Sequence, residues 1–497
     1  MIGYLKKRKL VCFLLLLFVI LFSLQRMIWY TVGYDTAAYL YWPETMLQSW
    51  YTHSRFMLVF LKRAFPFLSG NLLTLNILTY VHAYIYTILF LYFLNVGPGN
   101  EQEPPAAKRS LLSKEDVRDL FCGMFLVSSP FFLEQYYFTL QSAEVSLCFV
   151  LITISFLTTW HALTAAQTRI RLLLFGVSTV LVFFTVSVYQ YFAVMYLVGA
   201  VFCLIKLQKT DTRSNFQAIL QCAVVFLIGI ALYVAVNKLV LSMLGLAPDS
   251  YLGNEWTRLE RSAVMVRVVD AFASTLKGYG HAYTLSFFLA IFYLLIRFFR
   301  AEKKRTWEHF YYLCMLLAPY LLVLFLGNLL LERTAIAFTY VTVFVYFLAL
   351  NDPDKIAGLY RILLIGYTAI QIFRCQRMLY GDHLRYEGDL AIAHKVYEDC
   401  SLTPDTQVFF MGKERTEENT PLYKGATIGS SFFEWGIDDE QVSQEAVYTF
   451  MALEGYPYAY PGPELCEEAG QISIESEYPN GQYYQKTGHG YVVNLGD

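Results

Sequence analysis

Charge is what this chain has least of. Only 16% of its 497 residues are Asp, Glu, Lys or Arg. A soluble chain is about one quarter charged, because it has to cover its surface with polar groups. The shortage excludes the string of soluble domains that the length alone suggests. A basic surplus is missing too: the formal net charge is −2 and no basic stripe stands out, which excludes a nucleic-acid footprint. The nine cysteines include no C-x-x-C pair and so carry no zinc or redox signature. Cys12, Cys122, Cys148, Cys203, Cys222 and Cys314 lie in apolar runs, where a thiol acts as a small hydrophobe. Cys375, Cys400 and Cys466 lie at or beyond the last run, with room for one disulfide. The histidines are scattered, with no two at metal-ligand spacing on one helix face. Repeats are absent, and the only biased stretch is the Pro/Gly-containing Gly97–Pro105.

Apolar residues fill the space that charge leaves. They make up 56% of the chain and give a mean hydropathy of +0.42, in runs long enough to cross a bilayer at about 20 residues each. After Lys6-Lys7-Arg8-Lys9, a run from Leu10 to about Tyr30 is too long for a signal-peptide core and has no cleavage site after it, so it reads as a retained first helix. Further spans are predicted at Leu72–Leu94, Val117–Ser129, Phe138–Trp160, Arg171–Val188, Phe192–Lys206, Phe216–Met243, Tyr283–Phe299, His309–Gly327, Thr334–Leu350 and Leu359–Phe373. The expectation is a polytopic α-helical membrane protein of about eleven spans.

Loop charge orients it. Cytoplasmic loops carry the excess of Lys and Arg. With the N-terminus cytoplasmic, every basic cluster falls inside: Lys108, Arg109 and Lys114; Arg169 and Arg171; Lys206, Lys209 and Arg213; Arg297, Arg300, Lys303, Lys304 and Arg305. An odd span count then puts the tail outside. Residues 1–385 read as the transmembrane domain and 386–497 as a small extracytoplasmic α/β domain. The latter has strand-like runs at Gln407–Met411 and Tyr491–Leu495 and a helical stretch at Glu440–Leu453. Two outer loops, 31–70 and 245–280, contain amphipathic stretches (Thr36–Trp50, Ser54–Phe65, Leu259–Leu276) that read as helices lying on the membrane surface.

The outer face also collects the polar candidates: Asp35, Glu44, Arg55, Glu134, Tyr189, Gln190, Arg258, Arg261 and the pair Glu332-Arg333. Ionisable groups at membrane depth are costly, and a functional site is their default explanation. Asp35, in Gly33-Tyr34-Asp35-Thr36-Ala37-Ala38-Tyr39, suits a general base for an incoming hydroxyl. It also suits a helix N-cap. Glu134 reads either as a second acid or as a cap for a helix near Tyr136. Arg55 and Arg258 read as phosphate ligands or as side chains snorkelling to headgroups. Glu144, inside a span, reads as a structural hydrogen-bonding group or a cavity wall.

The order of these features resembles the GT-C class of glycosyltransferases and, more narrowly, the bacterial GtrII-type glucosyltransferase family. Four segments carry the resemblance: Asp35 to Tyr39; His53-Ser54-Arg55-Phe56; Pro130-Phe131-Phe132-Leu133-Glu134-Gln135-Tyr136; and Ser187-Val188-Tyr189-Gln190. Gly429-Ser430-Ser431-Phe432-Phe433-Glu434-Trp435 looks like the C-terminal domain of some members. Many members have two adjacent acids where this chain has Asp35-Thr36, so Glu44 enters as a helper. The resemblance implies a multi-pass enzyme of the bacterial plasma membrane. It would transfer a hexose, glucose first, from a polyprenyl-phosphate donor to an extracytoplasmic glycan or glycolipid. It implies catalytic Asp35, Glu134 and Glu44, and substrate binding by Arg55, Tyr189, Gln190, Arg258 and Arg333. No metal or cofactor is called for, although Asp35 and Glu134 are of the type that holds a divalent cation. The alternatives are a transporter or flippase of lipid-linked sugars, which calls for inverted repeats or broken helices, and a glycan polymerase.

Overall fold

The computed structural model describes residues 1–29, 31–97, 112–207, 211–249, 255–276, 282–300, 306–327, 332–351, 356–414, 428–436 and 441–496. Lys108, Arg109, Lys209, Lys303, Lys304 and Arg305, which entered the loop-charge argument, lie outside the described residues. The molecule is mostly helical. It opens with α1 (Ile2–Lys7) and α2 (Lys9–Ile28), followed by the short helices α3 (Tyr34–Tyr41), α4 (Pro43–Thr52), α5 (Phe56–Ala64) and α6 (Phe67–Gly70). Then come α7 (Leu72–Asn95), α8 (Lys114–Val127), α9 (Pro130–Tyr137), α10 (Thr139–Thr164), α11 (Thr168–Val188), α12 (Phe192–Leu207) and α13 (Thr212–Leu244). The series continues with α14 (Arg261–Leu276), α15 (Ala282–Arg300), α16 (Thr306–Leu317), α17 (Leu321–Leu326), α18 (Ile336–Leu350) and α19 (Ile356–Asp399). The tail adds β1 (Gln407–Met411), α20 (Gln444–Leu453), α21 (Pro463–Ala469), β2 (Tyr484–Lys486) and β3 (Gly490–Asn494).

Among the described residues, six helical stretches are long and apolar enough to cross a membrane: Lys9–Ile28, Leu72–Asn95, Thr139–Thr164, Thr168–Val188, Thr212–Leu244 and Trp307–Leu326. The last is pinched at Pro319, where Ala318–Tyr320 tightens to a 3-10 turn. Phe192–Leu207, Leu285–Phe299 and Ile336–Leu350 are shorter apolar helices. The chain is a multi-pass membrane protein. The run predicted at Val117–Ser129 sits in α8, a helix of 14 residues whose first turn is fixed by a capping box between Ser113 and Asp116. At 1.5 Å per residue this helix covers about two thirds of the hydrocarbon thickness by itself, and α9 follows it after two residues. Helix α8 also carries buried Arg118 and Asp119, paired at 2.7 Å.

The chain divides into two compact units. The first comprises Met1–Ser23, Gln48–Tyr136 and Gln141–Cys375. The second comprises Leu24–Leu47, Tyr137–Leu140 and Gln376–Asp497, so it takes in two segments ahead of the boundary drawn at residue 385. In the first unit α11 packs along α13 and α15 along α18. Its centre is aromatic: Phe132, Phe149 and Tyr340 pack round one another, with Tyr86 stacked on Phe132.

The second unit is built on a three-stranded sheet of order β1-β3-β2. There β1 and β3 run parallel, while β2 pairs with β3 antiparallel. A parallel pair needs a crossover, and the chain between β1 and β3 supplies it with α20 and α21. Ser443 caps α20 by accepting from the Ala446 amide, which starts the helix four residues later than the stretch read at Glu440. Its core joins Phe410, Phe432, Phe433, Val447, Phe450 and Val493 to Val32 and Ala37. The segment carrying Asp35 is thereby a structural part of the tail's core.

Candidate functional site

In the first unit the site grows from one turn. Between α4 and α5 the chain reverses over His53-Ser54-Arg55, with Ser54 at φ 61°, a left-handed conformation that costs a non-glycine residue about 1–2 kcal/mol. Such strain persists where the surroundings over-determine the backbone, and here they do. Gln190 Nε2 donates to the carbonyls of His53 (2.7 Å) and Ser54 (3.2 Å), and Tyr233 Oη donates to the Ser54 carbonyl at 3.2 Å. Asn237 Nδ2 donates to Ser54 Oγ at 3.0 Å, and the Asp249 amide donates to the Thr52 carbonyl at 3.0 Å. His53 Nε2 lies 3.1 Å from Asp249 Oδ2.

The turn presents Arg55 at the head of α5. Its residue is only 9% exposed. The guanidinium lies 4.7 Å from the Tyr189 ring centre, a cation–π distance, and Nη1 donates to Gln141 Oε1 at 3.3 Å. Arg55, Tyr189 and Gln190 are therefore brought together. Two turns further along α5, Lys62 Nζ meets Glu144 Oε1 at 2.7 Å, both side chains fully buried. Glu144 is thus half of a buried ion pair, and its partner Lys62 was not legible in the sequence because the two lie 82 positions apart.

Two further predicted residues meet each other. Arg333 Nη1 stands 3.6 Å from Glu134 Oε1, each side chain partly exposed. Glu134 lies inside α9 rather than capping it. The neighbouring segments are tied as well: Ser129 Oγ lies 2.7 Å from Thr339 Oγ1, and the Ala337 amide donates to Tyr191 Oη. The half-exposed side chain of Arg258 pairs with Glu255 at 3.3 Å, and Arg267 holds the other Glu255 oxygen at 3.4 Å. Glu255 had no signal in the sequence beyond being an acid in a loop.

In the second unit Asp35 occupies the first turn of α3, where the helix dipole favours a negative charge. The N-cap of that helix is Gly33, so Asp35 is not the cap. A Cβ on Gly33 would come within 2.9 Å of the Tyr137 ring, which keeps that position small. Glu44 sits exposed in the first turn of α4. Tyr34 stacks on Trp435 with ring centres 4.1 Å apart.

Below α3 lies a buried ionic network. Thr31 Oγ1 donates to Asp382, and Arg385 bonds Asp382 at 2.8 Å and Asp389 at 2.7 Å. Ser431 Oγ and the Phe432 amide also donate to Asp389. Burial pushes the Asp389 carboxyl up to about 6 against the pull of Arg385. The segment Gly429–Trp435 thus works as a clasp between Asp389 and Tyr34. Cys400 is buried and Cys466 exposed, and both are free, as is Cys375.

The profile of the family described as Glucosyl transferase GtrII matches residues 27–350, about two thirds of the chain. That stretch contains Asp35, Arg55, Glu134, Tyr189, Gln190, Arg258 and Arg333. No curated protein matches the chain.

Proposed function

The chain belongs to the glucosyl transferase GtrII family, and from that premise we propose how it performs glucosyl transfer and with which partners. The membership makes it a glycosyltransferase and leaves the transporter and polymerase readings without support. The donor in this reading is a polyprenyl phosphate carrying glucose, and the acceptor is a hydroxyl of an extracytoplasmic glycan or glycolipid. The fold in this reading is a GT-C-like bundle of about eleven spans with the N-terminus cytoplasmic and the tail domain outside.

The observation that carries it is Arg55, a buried guanidinium on a strained, over-determined turn. A lipid phosphate that becomes a leaving group gains negative charge at its oxygens, and fixed cations aimed there stabilise the transition state. Arginine suits the task because its planar fork grips phosphate oxygens. Arg333 and Arg258 are the further cations of this reading, and Tyr189 and Gln190 hold Arg55 and its turn in place. The acceptor oxygen attacks the anomeric carbon, the bond from that carbon to the phosphate oxygen breaks, and its electron pair leaves with the lipid phosphate. Asp35 takes the acceptor proton, with Glu44 and Glu134 as the other acids.

Membranes containing the protein, incubated with radiolabelled polyprenyl-phosphate glucose, galactose and mannose in parallel, test the donor. Consumption of the glucose lipid alone is expected. Equal use of all three, or of none, overturns the donor assignment.

A further inference from the structure

We propose that the α3–α20 face of the second unit is the subsite that binds the acceptor glycan, with Glu445 as a second carboxylate beside Asp35. The inference rests on the reading of Asp35 as the base. Helices α3 and α20 pack against one another. On α3, Tyr34 and Tyr41 are seven residues apart and so share a face, and on α20, Glu445 and Tyr448 are three apart and share another. The two faces meet in register. Tyr41 Oη lies 3.0 Å from Tyr448 Oη, with the rings edge to face at 5.4 Å. Two turns back along α3, burial first and then the carboxylates of Glu445 and Asp35 push the Tyr34 phenol above its ordinary range. Tyr460 packs edge-on against Tyr448 at 5.3 Å and is also within the field of Glu445.

The result is a strip of half-buried aromatic rings, from Trp435 through Tyr34 to Tyr448 and Tyr41, with two carboxylates beside it. Tyr41 is 38% and Tyr460 48% exposed. Ring faces pack on the C–H face of a sugar, and carboxylates accept hydrogen bonds from its hydroxyls. Sites for small polar ligands combine such apolar walls with a few placed polar groups. Tyrosines and tryptophans also gather at membrane interfaces, but two carboxylates in the strip repel an anionic headgroup layer, so a neutral saccharide is the better occupant. Asp35 is the chain neighbour of Tyr34 in the first turn of α3, so a saccharide on this strip would lie near the group proposed to take its proton.

The test uses the full-length protein in detergent. The probe is the short neutral oligosaccharide fraction released by mild acid from the host's own envelope glycan. Wild type should bind it saturably, and Glu445→Gln and Tyr41→Ala should each weaken binding about tenfold, with the KM for donor lipid unchanged. Tyr41 is exposed enough that its truncation leaves the core intact, and Tyr448→Phe provides a milder variant that removes only the shared hydroxyl. No saturable binding by wild type, or unchanged Kd in both Glu445→Gln and Tyr41→Ala, overturns the proposal. So does a change confined to partitioning into phosphatidylethanolamine–phosphatidylglycerol vesicles, which would make the strip an interfacial belt. Asp35→Asn with normal turnover would sink the base assignment while leaving the binding result standing, so the two failures can be told apart.

Discussion

Asp35 is where the chemistry is most exposed to test. Because Gly33 holds the N-cap position, the side chain of Asp35 is not needed to start α3. Replacing it by Asn forfeits the favourable charge at a helix N-terminus, about 0.3–1 kcal/mol, and keeps a polar side chain of the same shape. Asp35→Asn should therefore leave expression and folding intact. A positioned general base contributes roughly 10²–10⁴-fold, and turnover with a single donor lipid should fall by about that factor. Wild-type turnover by Asp35→Asn would move the base to Glu44 or Glu134.

Helix α5 shows how an element can be anchored by polar ties. Arg55 at its head bonds Gln141 at 3.3 Å, and Lys62 two turns on pairs with Glu144 at 2.7 Å. The two acceptors are three residues apart on α10, so both ties lie along one face. Glu144→Ala would leave the Lys62 ammonium buried without its counter-charge, and breaking a buried pair from one side costs about 3–5 kcal/mol. The double variant Lys62→Met with Glu144→Leu removes both charges and should cost far less. Thermal unfolding in detergent measures both. A Glu144→Ala protein as stable as wild type would mean that the pair does not anchor α5.

Across the whole molecule, pH and sidedness give two further expectations. Burial, then the neighbouring Glu477, pushes the Glu414 carboxyl of the second unit up to about 7 from an ordinary 4.5. Folding therefore favours the protonated acid. Stability should be greatest below about pH 4.5 as far as this group is concerned and should decline as pH rises towards 7. Hydrogen exchange of the tail domain between pH 5 and 8 reads this, and Glu414→Gln should flatten the dependence. Loop charge predicts the topology: an alkaline phosphatase fused after the C-terminus should be active, and one placed at Lys304 silent. The reverse pattern would overturn the orientation.

What the sequence determined by itself is local. A run of some twenty apolar residues has to be helical where water is absent, since only a helix satisfies its own backbone, and the apolar runs are helices. The strand at Gln407–Met411 was equally legible, its residues alternating between buried and half-buried. Three-residue β2 was not legible, since its pairing with β3 rather than its own composition makes it a strand. Tertiary structure alone decided which polar residues meet. Gln190 and His53 are 137 positions apart, and Tyr41 and Tyr448 are 407 apart; hydropathy carries no information about such pairs. Ser54 is left-handed because four distant groups bond its turn, not because of its own type. The tail domain shares a core with Val32 and Ala37 because a three-stranded sheet cannot bury both its faces with its own residues, and the segment around Asp35 supplies the missing apolar surface.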